Sequence, residues 1–295
     1  NSLRTLNVSY NVLTRLPVMK ALESLTQLDV SHNRLLTLPF SIQHATELRT
    51  IDASYNELSQ LPISLMILHH LTTLNLTGNC FSTGGRDVID VPPGTPVEDS
   101  GPTEGLQPIW SLKSLVTLHL SLNNISFLPS NAFRNLTALK LLNLGFNNLS
   151  TEGVPLFESE LGAPLVIENL FLNGNVIDKF PAQILTLQKT LTGLALEGNP
   201  IHKLPDKFSS LSALSRLSIS APYQKQKSKK KKKSTSTSFA PIKDIKTLTR
   251  LYLGSYFEGA LEDLSIDPEG EYDDMFPELR YADVPCFKAF PSFSC

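Results

Sequence analysis

The sequence is poor in the features that mark many secreted, membrane-bound or nucleic-acid-binding proteins. Only three of its 295 residues are cysteines, Cys80, Cys286 and Cys295; this odd, sparse set does not indicate a disulfide framework and favours a reducing compartment. No stretch approaches the ~18 uninterrupted apolar residues of a membrane-spanning helix, and the N-terminus lacks the charged-then-apolar pattern of a secretory signal. The net charge of -2 provides no global field that would recruit nucleic acid or a membrane surface.

Motifs that carry catalysis are also missing. The chain has no phosphate-binding Gly-rich loop with Lys, no His-Glu-x-x-His, no paired-cysteine metal spacing and no Gly-x-Ser-x-Gly elbow. His69 and His70 are adjacent and face different ways on a return segment, so we interpret both as surface residues. The sequence therefore predicts a protein that is not an enzyme, with no catalytic residues, no cofactor and no metal.

One phrase, Leu-x-x-Leu-x-Leu-x-x-Asn, recurs almost from end to end of the chain. Its eight complete copies close with Asn11, Asn33, Asn56, Asn79, Asn123, Asn147, Asn175 and Asn199. Two weaker copies without the asparagine follow, at 214–219 and 248–253. A phrase that returns at such a near-constant period predicts a stacked repeat array rather than separate globular domains.

The physical chemistry of one copy predicts the fold. In Leu-x-Leu the apolar side chains alternate with variable ones, so a short strand points its leucines inward and the intervening residues outward. Because one strand cannot cover its own apolar face, neighbouring copies stack into a parallel sheet of about ten strands over one continuous core. The Leu-Pro phrases at 16–17, 38–39 and 61–62 then fall on the return path, which we expect to be irregular or a short helical turn.

The repeated asparagines occupy the point where the chain leaves each strand and must turn. Buried amide side chains there can satisfy backbone donors and acceptors that the turn leaves unpaired. We therefore interpret these residues as a structural ladder and not as catalytic candidates.

The phrase is similar to that of the leucine-rich repeat family across nearly the whole chain, apart from two insertions and a degenerate tail. Residues 1–81, with steps of 22 to 23 residues, most resemble the intracellular Ras-group and plant intracellular types. The segment 128–133 resembles the extracellular variety instead. The resemblance implies an α/β solenoid, a horseshoe with a parallel concave sheet, and a non-catalytic module for protein or peptide partners in signalling or complex assembly.

Composition divides this single domain into five parts. They are the regular N-terminal repeats (1–81), an insertion loop rich in Gly, Pro and acid (82–108), the central repeats (109–220), a Lys-rich insertion loop (221–241), and degenerate repeats with a C-terminal cap (242–295). The seven lysines of Lys225–Lys233 are a possible contact for an anionic partner. The first strand, from Leu3, is expected to be an open apolar edge that requires a missing cap or an upstream partner domain.

Any partner must meet the outward positions, which line up across the repeats into columns. One column begins polar or acidic and ends apolar, and another is rich in Tyr, His and Phe, the residue types that carry binding energy at interfaces. Two arginines add charge beside the acids. The predicted partner-binding residues are Arg4, Asn7, Tyr10, Asp29, His32, Arg49, Asp52, Tyr55, His119, Leu122, Phe146 and Phe171. A flat sheet of this kind offers no deep pocket, so no small-molecule substrate is expected.

Two alternatives stay open. Similar repeats precede cyclase, phosphatase, kinase and GTPase domains, so the chain could be the regulatory region of a larger signalling enzyme. Five Asn-x-Ser/Thr sequons begin at Asn7, Asn75, Asn124, Asn135 and Asn148, as in an extracellular receptor ectodomain. Glycans on Asn7 and Asn75 would cover the face that is predicted to bind, so a cytoplasmic location is favoured.

Overall fold

The computed structural model describes residues 2–83, 104–220 and 240–253. Twelve short strands occur there: β1 (Thr5–Asn7), β2 (Gln27–Asp29), β3 (Thr50–Asp52), β4 (Thr73–Asn75), β5 (Ser82–Thr83), β6 (Thr117–His119), β7 (Asn124–Ile125), β8 (Leu141–Asn143), β9 (Asn169–Phe171), β10 (Gly193–Ala195), β11 (Arg216–Ile219) and β12 (Arg250–Leu253). Ten of them form one parallel sheet in chain order, while β5 pairs with β7 in a separate two-stranded sheet. The ten-stranded parallel solenoid predicted from the repeat phrase is confirmed.

The register of the sheet repeats the register of the leucines. Leu28 pairs with Leu6 on one side and with Ile51 on the other, and every later pair aligns the same way. In the ten-stranded sheet the second residue of each strand is buried from β2 to β12, which places these side chains in one continuous core. Since every strand has the same alternation, its first and third residues face outward; we call this outward side the sheet face.

Short 3₁₀ helices form much of the return path, as the Leu-Pro phrase predicts. They span Phe40–His44, Ile63–Ile67, Glu104–Ser111, Ala182–Leu187, Asp206–Ser210 and Ala240–Asp244. Four of these helices directly follow a proline with extended backbone, and the proline carbonyl accepts a hydrogen bond from a residue inside the turn, as from the N–H of Ile42 to Pro39 at 3.0 Å. Proline fixes φ near the value that such a turn requires. Because it precedes the first helical residue, its missing N–H costs the turn no hydrogen bond, so proline is well suited to the start of the return segment.

The buried asparagines form the predicted ladder. The Oδ1 atom of Asn56 accepts from the N–H of Leu35 at 3.0 Å, and its Nδ2 donates to three carbonyls, those of Val30, Ala53 and Ser54. Because Leu35 and Val30 belong to the preceding repeat, each such side chain joins two repeats as well as closing its own turn. Asn11 is exposed and bonds only within its own turn, to Val8 and Ser9.

The ends of the repeats differ from the interior. Leu3 is 46% exposed, and Leu6 is only partly buried, because β1 is the edge strand of the sheet. The predicted first insertion is shorter than 82–108: Ser82–Thr83 pairs with Asn124–Ile125, and Glu104–Ser111 is helical. Residues 84–103, 221–239 and 254–295, which include Lys225–Lys233 and the predicted C-terminal cap, lie outside the described residues.

Candidate functional site

Five of the predicted binding residues lie in one row across the sheet face. Asn7, Asp29, Asp52, His119 and Phe171 are each the last residue of a three-residue strand. The parallel register aligns them at roughly 4.8 Å per strand, so a single partner can contact several at once.

The acids of this row are held in place by the turn that follows each strand. Asp29 Oδ1 accepts from the backbone N–H of Ser31 at 3.0 Å and from its hydroxyl at 2.7 Å. Asp29 Oδ2 accepts from Nδ2 of Asn7 at 3.0 Å. The equivalent three contacts hold Asp52. The carboxylates therefore support the fold and at the same time give this part of the sheet face a fixed negative charge.

His119 lies near the middle of the row and is partly buried. Burial lowers its pKa below the usual value, and the negative charge of Asp52, two strands away, opposes this by raising it. The imidazole is therefore neutral at pH 7 and offers one donor and one acceptor.

The two predicted arginines, Arg4 and Arg49, lie immediately before strands β1 and β3. Arg4 and Arg49 are exposed, and each precedes the first residue of a strand by one position. The ion pairs within the described residues are Arg134 to Glu160 at 3.2 Å and Lys140 to Glu168 at 2.8 Å. Neither Arg4 nor Arg49 takes part in these pairs, so both keep their charge available to a partner.

The predicted aromatic column exists, but it lies outside the strands. Tyr10, His32 and Tyr55 occupy the turn beyond the strand ends, with ring centroids 4.2 Å and 4.5 Å apart and planes within 14° of parallel. We call these three residues the aromatic strip. It borders the sheet face where the strands end, because the chain has already begun to turn at this position.

The strip does not continue through the whole column, because glycines interrupt it. Gly78 follows Tyr55 in the next repeat, and a Cβ atom there would lie 2.8 Å from the Tyr55 ring. Phe146 covers Gly174 in the same manner, where a Cβ atom would lie 2.6 Å away. The column is therefore divided into two segments, and Leu122 and Phe146 belong to the second.

The backbone at the strip is in the left-handed region. φ is 54° at Tyr10, 52° at His32 and 52° at Tyr55, whereas glycine fills the same turn position at Gly78. A side chain costs roughly 1–2 kcal/mol in this conformation, a cost that glycine avoids. Stacking between repeats offsets part of it for His32, but Tyr10 stacks on one side only and is 77% exposed.

Sequence reasoning missed a second group of outward residues, at the C-terminal end of the sheet face. Arg216 and Arg250 are register neighbours on β11 and β12, and both are exposed. Nη2 of Arg216 donates to Oδ1 of Asn169 at 2.6 Å, passing over Gly193, where a side chain would collide with both groups. The signal was available in the column formed by the first residues of the strands, which runs from Thr5 to Arg250.

The cysteine expectation needs correction, because Cys80 is disulfide-bonded. Its backbone lies on a flank of the solenoid, where the N–H of Cys80 bonds to Leu58 and that of Asn124 bonds to Phe81. Asn148 lies on the same flank one repeat further along the chain, where its N–H donates to the carbonyl of Ile125. The flank therefore carries the disulfide-bonded Cys80 and two of the five sequon asparagines.

The five sequons separate into two groups by their side-chain contacts. The Nδ2 atoms of Asn7, Asn75 and Asn135 donate to Asp29, Asp52 and the Trp110 carbonyl, respectively. The side chains of Asn124 and Asn148 are exposed, and neither makes a hydrogen bond within the described residues. A glycan could thus be attached at Asn124 and Asn148 without breaking a hydrogen bond of the fold.

Two further features are absent from the part of the chain that the structure describes. No group of three His, Cys, Asp or Glu side chains lies close enough together there to hold a metal ion. Among the same residues, no helix is long and apolar enough to cross a membrane.

Comparison with known proteins agrees with the geometry. A family model described as Leucine Rich Repeat matches residues 24–45 and 114–136, and a second model of such a repeat matches residues 68–89. A solved leucine-rich repeat protein of Leptospira interrogans has a TM-score of 0.64 at 27% identity, covering 85% of this chain and 54% of that one. The chain is a leucine-rich repeat protein; its intracellular subtype stays a prediction.

Curated relatives match over part of their length only. The chain is 37% identical over 123 residues to Receptor like protein 28 of Arabidopsis thaliana, which is 40% of this chain and 15% of that protein. It is 31% identical over 243 residues to Transforming growth factor beta activator LRRC32 of Pongo abelii, with 68% and 36% covered. Across the curated relatives the matched segments span 15% to 39% of the relative's length.

Proposed function

We propose that this chain is a non-catalytic module that binds a protein or peptide partner through its concave sheet face and the adjoining aromatic strip, in signalling or complex assembly. The observation that carries the proposal is the stack of Tyr10, His32 and Tyr55, which presents a rigid aromatic surface beside a charged sheet. Aromatic side chains lose little conformational entropy on binding and bury a large area, so they contribute strongly at interfaces.

The backbone energy of the strip supports the same function. Glycine would serve the turn at less cost, as it does at Gly78 and Gly174. His32 stacks with both tyrosines, whereas Tyr10 has its ring contact with His32 alone among the described residues and is 77% exposed. A partner that covers Tyr10 would add the missing packing.

The relatives support a macromolecular ligand rather than a small one. The Pongo abelii relative is named as an activator of a growth factor, which is a protein, and the Arabidopsis relative is named as receptor-like. For this chain a protein partner follows as part of the proposal. The proposed anionic contact of Lys225–Lys233 rests on its seven lysines alone.

The test is the double variant Tyr10→Ala plus Tyr55→Ala, measured for affinity to the native partner by calorimetry. We expect affinity to fall by at least about tenfold, with little change in melting temperature, since both side chains lie on the surface of a turn. The matched control is Phe40→Ala plus Ile63→Ala, which removes exposed apolar side chains from the return segments instead. Parent-like affinity of the tyrosine variant would show that the strip is not the contact surface.

A second candidate is the ligand-binding region of an extracellular receptor-type protein. The sequence favours the cytoplasm, but the disulfide at Cys80 favours an oxidising compartment, and Asn124 and Asn148 are exposed acceptors on the same flank. Treatment of the cell-derived protein with N-glycosidase distinguishes the two, because removal of a glycan converts its Asn to Asp. Conversion at 124 and 148 supports the extracellular candidate, and an unshifted protein supports the cytoplasmic one.

The regulatory region of a larger signalling enzyme is the remaining alternative. The chain spans only part of its curated relatives, so this alternative depends on segments beyond residues 1–295. A catalytic domain in the full-length sequence would favour it.

A further inference from the structure

The return segment between β8 and β9 is longer than its neighbours. β9 begins 28 residues after β8, at 169 against 141, whereas β6 and β8 begin 24 residues apart. The additional residues form a short hairpin in which Glu158 and Pro164 are antiparallel bridge partners. The N–H of Ser159 donates to the carbonyl of Ala163 at 2.7 Å. We call residues 156–166 the return hairpin; it is a hydrogen-bonded element of the fold in the place that a 3₁₀ helix occupies in other repeats.

The return hairpin closes through a tight turn that depends on a glycine. The N–H of Gly162 donates to the carbonyl of Ser159 at 2.9 Å, and φ of Gly162 is 75°. A turn followed by a left-handed residue is a common hairpin connection, and glycine adopts that conformation without steric strain. Leu161 lies immediately before this glycine and is 95% exposed, the highest value among the exposed large apolar side chains that the structure describes. The fold therefore holds a leucine at the tip of the hairpin without burying it.

The base of the return hairpin is anchored in the core. Phe157 and Leu165 are buried, and the N–H of Leu165 donates to the carbonyl of Phe157 at 2.9 Å. The ring of Phe157 stacks on that of Phe133 in the preceding repeat, with centroids 6.4 Å apart. Near the tip, Arg134 of the same preceding repeat forms an ion pair with Glu160 at 3.2 Å. These contacts restrain the hairpin, which lowers the conformational entropy that binding through its tip would cost.

The two strands of the return hairpin turn an apolar face outward. Because side chains alternate along an extended chain, the neighbours of the two buried residues point away from the core. The bridge of the hairpin places Leu156 opposite Val166, and these side chains are 46% and 40% exposed. Single scattered apolar residues are ordinary on a surface, but here several adjoin one another and the tip. We call this outward face with the tip the hairpin surface; it consists of Leu156, Glu158, Leu161, Pro164 and Val166.

One acidic side chain lies within the hairpin surface. Glu158 is half-buried and opposite Pro164, and it forms no ion pair within the described residues. A carboxylate that is covered by an apolar partner loses its hydration, so a partner must bring a positive group to this position. The same carboxylate disfavours a membrane as the occupant, because the anionic headgroups of a lipid surface would repel it. The charge of the hairpin surface therefore favours a protein with a basic group beside an apolar one.

We propose that the hairpin surface binds a partner protein that has an apolar pocket for Leu161, bordered by a Lys or Arg that pairs with Glu158. A projecting side chain requires a concave partner, and an apolar anchor in a pocket is a frequent centre of binding energy. The return hairpin lies on the return path between two strands, so this contact is separate from the sheet face and the aromatic strip. The inference therefore goes beyond the proposed function and does not depend on it.

The experiment begins with photocrosslinking of the full chain in its native cells. The photoreactive residue p-benzoylphenylalanine replaces Leu161 in one version and Leu36 in the control, since Leu36 is also a leucine of a return segment and is 60% exposed. We expect one protein to be crosslinked from position 161 and not from position 36, and mass spectrometry identifies it.

The crosslinked protein is then purified, and its affinity for the full chain is measured by calorimetry. Leu161→Ser should lower this affinity at least about tenfold, because the pocket loses its anchor, whereas Leu36→Ser should bind like the parent. Glu158→Gln should lower the affinity by a smaller factor and should reduce its dependence on salt, because a charge pair is lost. The melting temperatures of all three variants should stay close to that of the parent, since none of these side chains is part of the core.

Several results would overturn the hairpin surface. These are no crosslink from position 161, equal crosslinking from position 36, a crosslink to lipid or to a second copy of the chain, and parent-like affinity of Leu161→Ser or Glu158→Gln. A captured protein that loses affinity for Tyr10→Ala plus Tyr55→Ala but not for Leu161→Ser overturns the hairpin surface and leaves the proposed function standing. The opposite pattern supports the hairpin surface and contradicts the aromatic strip as the contact.

Discussion

The N-terminal and C-terminal parts of the sheet face share one backbone and one register but differ in the chemistry of their outward side chains. On β2 and β3 the acids are tied to serine and asparagine neighbours, and the aromatic strip runs alongside. On β10 the outward side chains are reduced to Gly193 and Ala195, and arginines follow. The buried leucines specify the fold equally well in both parts, which leaves the outward positions free to specify a partner.

The two parts also differ at their boundary with solvent. β1 and β12 are the two edge strands of the described sheet, but Leu6 of β1 is only partly buried, whereas Leu251 of β12 is 3% exposed. In a linear array each repeat is stabilised by its nearest neighbours. We therefore expect the N-terminal repeats to be able to lose structure without the C-terminal ones.

The largest expected effect is that of Leu28→Asp. Leu28 is 1% exposed and packs in register between Leu6 and Ile51, so the variant places an unpaired charge in the core at a cost on the order of 4–5 kcal/mol. Hydrogen exchange should show loss of protection in residues 2–83 and retention in β9 to β11. The conservative variant Leu28→Val provides the control with a small effect. Simultaneous loss of protection along the whole chain would contradict the independence of the two parts.

A smaller effect is expected when one rung of the asparagine ladder is removed. Asn56→Ala leaves the buried N–H of Leu35 without its partner and removes one of the two hydrogen bonds at each of three carbonyls, which should lower the free energy of unfolding by about 1–3 kcal/mol. Asn11→Ala is the matched variant, since Asn11 is exposed and bonds to two carbonyls of its own turn. We expect it to cost less than about 1 kcal/mol in urea denaturation. Equal costs would mean that the bonds between repeats add nothing.

The sequence predicted the strands and the ladder because both depend on one-dimensional patterns. Alternation of leucine with polar residues determines which side of a strand is buried, and this holds for Leu28 as for Leu217. The return segments were predicted as irregular or short helical turns, and helices do follow Pro39 and Pro62, whereas none follows Pro17. The small sheet of Ser82–Thr83 with Asn124–Ile125 was missed, since neither pair of residues has an apolar alternation, and they lie about 40 positions apart in the chain.

The candidate site was predicted only in part, from the alignment of equivalent positions in successive repeats. A column of residues can be read from the repeat period, which located Asp29, Asp52 and His119 correctly on the sheet face. Tyr10 lies on the turn with a left-handed backbone, and a tyrosine in a sequence does not indicate that conformation. The contact of Arg216 with Asn169 over Gly193 depends on the missing side chain of the strand between them, and it is recognised only when the first residues of neighbouring strands are compared across the register.

The smallest expected effect concerns His119, which lies between the acidic and the basic parts of the face. Burial holds the pKa of this imidazole below its usual 6.5, and the charge of Asp52 limits the shift. A histidine whose folded pKa is lowered contributes stability that is present above the unfolded pKa and is lost as the pH falls through the folded pKa. The melting temperature of the parent should therefore fall between about pH 7 and pH 5 by more than that of His119→Gln, which cannot be protonated.

Asp52→Asn is the informative partner for this measurement, because it removes the charge that stabilises the imidazolium while keeping an oxygen to accept from Ser54. In its background the pKa of His119 should fall further, so the pH-dependent loss attributable to His119 should be larger and extend to lower pH. If parent, His119→Gln and Asp52→Asn have the same dependence of melting temperature on pH, the two side chains do not interact across Asn75. The acidic part of the face would then end at β3 and exert no electrostatic influence on the centre of the sheet.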